Sequence, residues 1–169
     1  MRKNNFALKR ISFLFFFIFL NTFVHAQDSL PRTVFIEAGG SGGFASVNLD
    51  KGFISFRNGF LSGRIGAGYL QGEKYFGSAA GVFVLPTMVH CMIGKNRNWL
   101  ETGFGLSFGL STKGEIFSRI TPTIGYRFQK TGESGIFFRL TYAPIISDVL
   151  KGEIIEWAGI SLGYSFSSK

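Results

Sequence analysis

The chain has 169 residues, of which 46% are hydrophobic and 23 are glycine, and its formal net charge is +8. Four of the 18 basic residues precede residue 27. This leaves 14 basic residues against ten acidic ones, too few and too scattered for a nucleic-acid-binding surface. Cys91 is the only cysteine, so an intramolecular disulfide and a cysteine-rich zinc site are excluded as well.

The first 26 residues have the features of a secretory signal peptide. A basic segment without acids, 1–10, precedes the apolar run 11–20, and Ala26 is the small residue that a signal peptidase accepts. An uncleaved anchor is disfavoured, because ten apolar residues rise only about 15 Å as a helix, roughly half of a hydrocarbon core. We therefore expect cleavage before Gln27 and a mature domain over 27–169.

A glycine-rich stretch, "VFIEAGGSGGFAS" at 34–46, carries Gly40, Gly42 and Ala45 at the spacing of a dinucleotide-binding loop. That motif requires a helix after the glycines and an acidic residue about 20 positions further on. Here a strand-like alternation follows instead, and 60–68 contains no acid. The glycines are therefore interpreted as a chain reversal.

The mature chain alternates between large apolar residues and small or polar ones, which is the period of a β-strand. Even the most apolar run, 79–93, shows this parity and contains Pro86 and His90, so it does not predict a membrane helix. Asn58-Gly59 is a hairpin turn signal. Strands are predicted at 33–40, 43–53, 60–70, 80–93, 98–110, 116–128, 135–146 and 155–166.

The two faces of these strands indicate which side of the sheet meets which environment. One face is continuously Leu, Ile, Phe and Tyr, as suits lipid, and the other is Gly, Ser and isolated charges, as suits the interior of a narrow barrel. The predicted fold is all-β: a single closed antiparallel transmembrane β-barrel of eight strands. Pro86, Pro122 and Pro144 fall inside predicted strands, so we expect bulges or strand ends there. A periplasmic or secreted barrel of lipocalin type is the alternative architecture.

Several segments together carry a family resemblance: "EAGGSGGFASVNLD", "LSGRIGAGY", "LETGFGLSF", "PTIGYRF", "GIFFRLTYAPII" and "WAGISLGYSF". In this succession the chain resembles small outer-membrane β-barrel proteins of Gram-negative bacteria, in the size class of the OmpX-like and OmpA-type barrels. The resemblance implies a location in the outer membrane, contact with its lipid, and insertion by the outer-membrane assembly machinery. That machinery recognises a C-terminal strand that usually ends in an aromatic residue, whereas here Phe166 is followed by three further residues.

Most of the charged residues within the predicted strands fall on the Gly/Ser face. A paired polar network that fills the barrel is favoured over a pore lining or a buried catalytic group, because the interior of eight strands is only wide enough for side chains. The residues predicted to point inward are Glu37, Asp50, Arg64, His90, Glu101, Arg119, Arg127 and Arg139.

No catalytic, cofactor or metal site is predicted. His90 is the only histidine of the mature chain, and Ser46 or Ser107 as nucleophile has no supporting motif. The sequence thus predicts a monomeric, non-enzymatic outer-membrane barrel with a structural or surface-interaction role. Its expected outer loops are short, near 40–43, 70–79, 111–115 and 147–155, and Tyr75 and Phe76 are a possible contact. Three alternatives stay open: a small-solute pore, a lipid A-modifying hydrolase or acyltransferase, and a lipocalin-like ligand-binding barrel.

Overall fold

The alternation along the chain produces strands that are covered on one side only. The computed structural model describes residues 30–71, 81–148 and 153–167. The predicted signal peptide, Tyr75 and Phe76 lie outside these ranges. The strands are β1 (Arg32–Gly39), β2 (Ala45–Phe56), β3 (Gly59–Gln71), β4 (Gly81–Lys95), β5 (Asn98–Ser111), β6 (Ile116–Phe128), β7 (Gly135–Tyr142), β8 (Ile145–Asp148), β9 (Glu153–Ile155) and β10 (Ala158–Phe166).

Eight of these strands form one closed antiparallel barrel in the order β1-β10-β7-β6-β5-β4-β3-β2. Strand β1 closes it, because Arg32 lies opposite Phe166 of β10 on one side and Lys51 of β2 on the other. Strands β8 and β9 pair with each other in a separate two-stranded sheet. The predicted all-β fold, a closed antiparallel barrel of eight strands, is confirmed.

Antiparallel connection gives the barrel two distinct ends. The end that we call the termini end holds Leu30, Ser167 and the connections 57–58, 96–97 and 129–134. The opposite end, the loop end, holds the connections 40–44 and 112–115. Within the described ranges, no helix combines the length and the apolar character that crossing a membrane requires.

The glycine-rich stretch reverses the chain, as predicted, and β2 follows it instead of a helix. Gly40–Gly42 form a single 3-10 turn whose three residues are buried, so the turn lies over the lumen and does not project from the barrel. Gly39, Gly40 and Gly43 have φ values of 76°, 70° and 95°. Such angles are unfavourable for residues with a Cβ atom, which is why this tight inward turn requires glycine.

Of the three prolines predicted to cause bulges or strand ends, only Pro144 lies at a strand end. Strand β7 stops at Tyr142, so the strand predicted over 135–146 was too long. Pro86 is neither at a bulge nor at a strand end: β4 keeps its register with β3, but the ladder has a gap opposite Pro86. Pro122 lies within β6, two residues before the first position that pairs with β7, and its pairing with Phe104 of β5 is not interrupted. Proline has no N–H to donate to a ladder, which accounts for the gap opposite Pro86.

Two further features differ from the prediction, the start of the last strand and the position of a β-bulge. The last strand begins at Ala158, not at 155, since residues 153–155 belong to β9. Within the barrel, a β-bulge lies between Gly52 and Ile54 of β2, where the register with β3 shifts by one residue. A bulge adds one residue to one strand without a strong sequence signature, so parity alone did not reveal it.

Candidate functional site

Large apolar side chains cover the outer wall of the barrel. Phe104, midway along β5, is 68% exposed, and Leu100 and Leu110 on the same face are 57% and 49% exposed. On β4 the outward apolar residues extend from Phe83 to Ile93 before Lys95 ends the strand. These ten residue steps span about 33 Å along the strand, or about 25 Å of height at a tilt of about 40°.

Charged side chains occupy the lumen instead. Three carboxylates and three guanidinium groups are fully buried there, so these six charges balance. The set has contributions from β1, β2, β3, β4, β5, β6 and β7. We call it the lumen network; it comprises Glu37, Asp50, Arg64, His90, Glu101, Arg127 and Arg139.

Glu101 is the central acceptor of the lumen network. One oxygen accepts from Nε of Arg127 at 2.7 Å, and the other accepts from Nε of Arg139 at 2.9 Å and also from its Nη2. Nε2 of His90 lies 3.3 Å from the second oxygen. One carboxylate thus joins two arginines from neighbouring strands, β6 and β7.

Glu37 and Arg64 form the part of the network nearer the loop end. Arg64 donates to both carboxylate oxygens of Glu37, and Arg139 donates to Oε1 of Glu37 at 2.8 Å. The amide oxygen of Asn48 accepts from Nε of Arg64 at 3.0 Å, and its amide nitrogen donates to Ser46 at 2.9 Å. Arg139 therefore links Glu37 to Glu101 and makes the network continuous.

Asp50 extends the network towards the termini end. Its two oxygens accept from Nη1 and Nη2 of Arg127 at 3.1 and 3.3 Å, and Ser62 donates to Oδ2 at 3.0 Å. Arg127 also donates to the side chain of Gln129, which in turn donates to Thr33 at 2.7 Å. A buried charge is stable when it is paired and hydrogen-bonded, and Asp50 and Arg127 meet both requirements.

Two aromatic rings fill the space beside the guanidinium groups. Phe35 and Phe137 stack with their ring centroids 4.8 Å apart. The guanidinium carbons of Arg64 and Arg127 lie 5.1 Å from the centroids of Phe35 and Phe137 respectively. The faces of the rings are attractive to cations, so these contacts add to the ion pairs and leave little room for water.

In the described ranges, residues cover both ends of the lumen. At the termini end, Leu30, Phe60, Met92 and Trp99 form an apolar cluster, and the indole of Trp99 donates to the backbone oxygen of Gln129 at 2.9 Å. At the loop end, the 3-10 turn is held in place by side-chain donors. Ser107 donates to the carbonyl of Ser41 at 3.1 Å, and Trp157 donates to the carbonyl of Gly40 at 2.8 Å.

The residues nominated from the sequence are brought together only in part. All eight side chains predicted to point inward have the predicted parity, but Arg119 is half-buried and its guanidinium lies 5.7 Å from the centroid of the Phe117 ring. Arg119 pairs with Ser107, six positions along β5 from Glu101, and so it lies nearer the loop end than the lumen network.

The serine candidates are committed to other contacts. Ser46 donates to Glu37 at 3.5 Å and Ser107 to the backbone of the 3-10 turn. In the part of the chain that the structure describes, neither serine is hydrogen-bonded to His90, and no group of three His, Cys, Asp or Glu side chains is placed to hold a metal ion. The absence of a catalytic site stays a prediction.

Sequence reasoning did not identify several members of the interior. Asn48, Phe35 and Phe137 have inward parity on strands that were predicted, so the signal was present, whereas Gln129 lies one residue beyond β6. Parity does not show which inward side chains meet across the lumen. Arg127, for example, contacts Asp50 although the two residues are 77 positions apart.

Comparison with known proteins gives one structural neighbour. No protein-family model and no curated protein sequence matches the chain. Among solved structures, the chain is similar to the N-terminal β-barrel domain of OprF from Pseudomonas aeruginosa, with 13% sequence identity and a TM-score of 0.48. The match covers 83% of this chain and 98% of that one.

Proposed function

We propose that the protein is a monomeric integral β-barrel protein of the bacterial outer membrane, with a structural or surface-interaction role and a lumen closed by side chains. The observation that carries this proposal is the distribution of polarity. An exposed apolar band about 25 Å high surrounds a fully buried, charge-balanced interior. Such a band matches the apolar zone of outer-membrane barrels, and a closed sheet leaves no unpaired edge in hydrocarbon.

A soluble ligand-binding barrel is disfavoured by the same distribution. Such a barrel needs a polar exterior and a hollow interior that holds a ligand. Here Phe104 in the middle of the outer wall is 68% exposed, whereas Glu101 on the neighbouring inward face of β5 is fully buried. In water, this exterior would be an apolar patch of a size that drives aggregation.

A solute pore is disfavoured by the packing of the lumen. The lumen network crosses the barrel at mid-height, the apolar cluster of Leu30, Phe60, Met92 and Trp99 closes one end, and the 3-10 turn covers the other. The depressions of about 770 and 470 Å³ are lined mainly by outward-facing residues and open on the outer wall. A pore would require Glu37, Arg64 and Arg139 to separate, at the cost of breaking buried ion pairs.

The outer membrane is proposed on two grounds, the predicted signal peptide at 1–26 and the even-numbered antiparallel barrel. Insertion by the outer-membrane assembly machinery follows from the same proposal. A lipid-modifying activity has less support, because the two serine candidates are hydrogen-bonded away from His90.

Fractionation of a Gram-negative host that expresses the full chain tests the location. We expect the protein in the outer-membrane fraction, and we expect its gel mobility to change on heating, since a folded barrel migrates differently from the unfolded chain. Recovery in the soluble periplasmic fraction without heat-dependent mobility would overturn the proposal.

Two further measurements separate the alternatives. In planar bilayers the folded protein should give no steady single-channel current, and a reproducible conductance would favour the pore. The mass of lipid A from expressing cells should be unchanged, and loss or gain of an acyl chain would favour the enzyme.

A further inference from the structure

The exposed charges of the barrel are unevenly distributed between its ends. Within the described ranges, the side chains at the termini end include six basic residues but one acid, Glu133, which is paired with Lys130. At the loop end, Lys113 is accompanied by the acids Glu115 and Glu156. The basic residues of the termini end are Arg32, Lys51, Arg57, Lys95, Arg97 and Lys130.

Two of these cations stand side by side on the outer wall. Arg32 of β1 and Lys51 of β2 are directly opposite in the register, which puts their Cα atoms about 5 Å apart. Both side chains are exposed and point outward. In the described part of the chain neither forms an ion pair with a carboxylate, so the charge of both is available to an external anion.

An apolar depression begins directly beside this pair of cations. It has a volume of about 470 Å³ and is lined by Arg32, Lys51 and the outward residues Val34, Leu49, Ile65 and Phe166. Its floor includes Gly63, which lies opposite Lys51 and has no side chain to fill the space. The extra residue of the β-bulge, Phe53, borders it: a Cβ atom at Gly63 would lie 3.7 Å from the Phe53 ring.

A second depression, of about 770 Å³, lies further along β1 and β2, and its lining includes the small residues Ala38, Ala45 and Ala67. From Arg32 to Ala38 the surface covers six residue steps, about 20 Å along the strand. At a strand tilt of about 40° this is about 15 Å of depth, slightly more than half of the apolar band, which is about 25 Å high. The surface is therefore as long as one leaflet is deep, with its cations at the headgroup level.

We propose that this surface, the β1–β2 track, binds one anionic phospholipid, with the phosphate between Arg32 and Lys51 and an acyl chain along the apolar depressions. The proposal rests on the proposed membrane location and adds a ligand class and a binding site to it. A guanidinium and an ammonium group provide donors and charge for a phosphate, and a leaflet of phospholipid supplies that group at this depth.

Native mass spectrometry of the folded full chain in detergent tests the track. Phosphatidylglycerol and phosphatidylcholine with identical acyl chains are titrated separately, and the affinity of the first bound lipid is compared. Wild-type protein should prefer phosphatidylglycerol. The R32Q/K51Q variant should lower the affinity for phosphatidylglycerol at least about fivefold, with little change in the affinity for phosphatidylcholine. K95Q/R97Q removes the same charge at the same end of the barrel, and its affinity for phosphatidylglycerol should stay within about twofold of wild type.

A second pair of variants tests the apolar part. Gly63→Leu fills the depression and should lower the affinity for both lipids. Ser118→Leu, at an outward position of β6 across the barrel, should lower the affinity for neither. Equal losses in the two charge variants, or no preference of the wild-type protein for phosphatidylglycerol, would overturn the site while leaving the membrane barrel intact. If the wild-type chain shows no heat-dependent gel mobility in detergent, the proposed function fails first and the track with it.

Discussion

Replacing Glu101 by glutamine should destabilise the barrel more than any change at an exposed charge. The variant keeps the size of the side chain but removes the negative charge that Arg127 and Arg139 share. The fully buried charges would then comprise three guanidinium groups and two carboxylates. Because those groups are fully buried, solvent does not screen the imbalance.

The magnitude follows from the contacts that are lost. Glu101 accepts from Nε of Arg127 at 2.7 Å and twice from Arg139, and the amide of glutamine offers one acceptor in place of two charged oxygens. Removing one partner of a buried ion pair typically costs about 3–5 kcal/mol, so we expect a loss of that size in the free energy of unfolding.

Denaturant unfolding of the folded protein in lipid vesicles measures this quantity. Glu133→Gln is the matched control, since Glu133 is 64% exposed in its pair with Lys130 and should cost no more than about 0.5–1 kcal/mol. Arg119→Ala provides a second comparison, because Arg119 is only half-buried and lies nearer the loop end. It should cost clearly less than E101Q.

A double variant distinguishes charge from shape. E101M/R127M removes both charges of one pair, so its cost should be well below the sum of the two single methionine variants. The reasoning would be refuted if E101Q were as stable as E133Q, or if the two methionine substitutions were simply additive.

Three further predictions concern the wall, the turn and the closed end. Phe104→Arg should reduce the stability of the barrel in vesicles by about 2–4 kcal/mol, whereas a water-exposed position would tolerate arginine. Gly39→Ala should destabilise the barrel clearly more than Gly114→Ala in the same unfolding assay: both have positive φ, but a Cβ at Gly39 would lie 2.2 Å from the backbone oxygen of Ala158 and one at Gly114 meets nothing. Trp99→Ala should cost about 3–5 kcal/mol, and an unchanged denaturation midpoint would contradict its place in the closing cluster.

Strand parity was sufficient to predict the barrel and the direction of its side chains. The period of two assigns each residue to one face, so Glu37, Asp50 and Glu101 were placed inside without knowledge of the fold. The count of eight followed from the even number of strands in single-chain bacterial barrels, which required 33–53 to be divided, and the glycines near Gly40 marked the place.

Other features were beyond the reach of parity. A proline indicates that one hydrogen bond of the ladder is missing. It does not indicate whether the strand stops, as β7 does before Pro144, or continues past a gap, as β4 does at Pro86. No particular residue type marks the position of the bulge near Phe53 in the sequence. The β1–β2 track likewise depends on which outward residues become neighbours across strands, and only the register supplies that information.

The order of the buried charges along the chain affects how the barrel is completed. The first four strands contribute Glu37, Asp50, Arg64 and His90 to the lumen network, and the charges of their two carboxylates and one guanidinium sum to −1. The strands that follow contribute Glu101, Arg127 and Arg139, a net charge of +1. Each half alone carries an uncompensated charge on its inner face, and the two halves attract each other. The buried charges are therefore balanced only in the closed barrel, and closure brings the negative inner face of the first half against the positive inner face of the second.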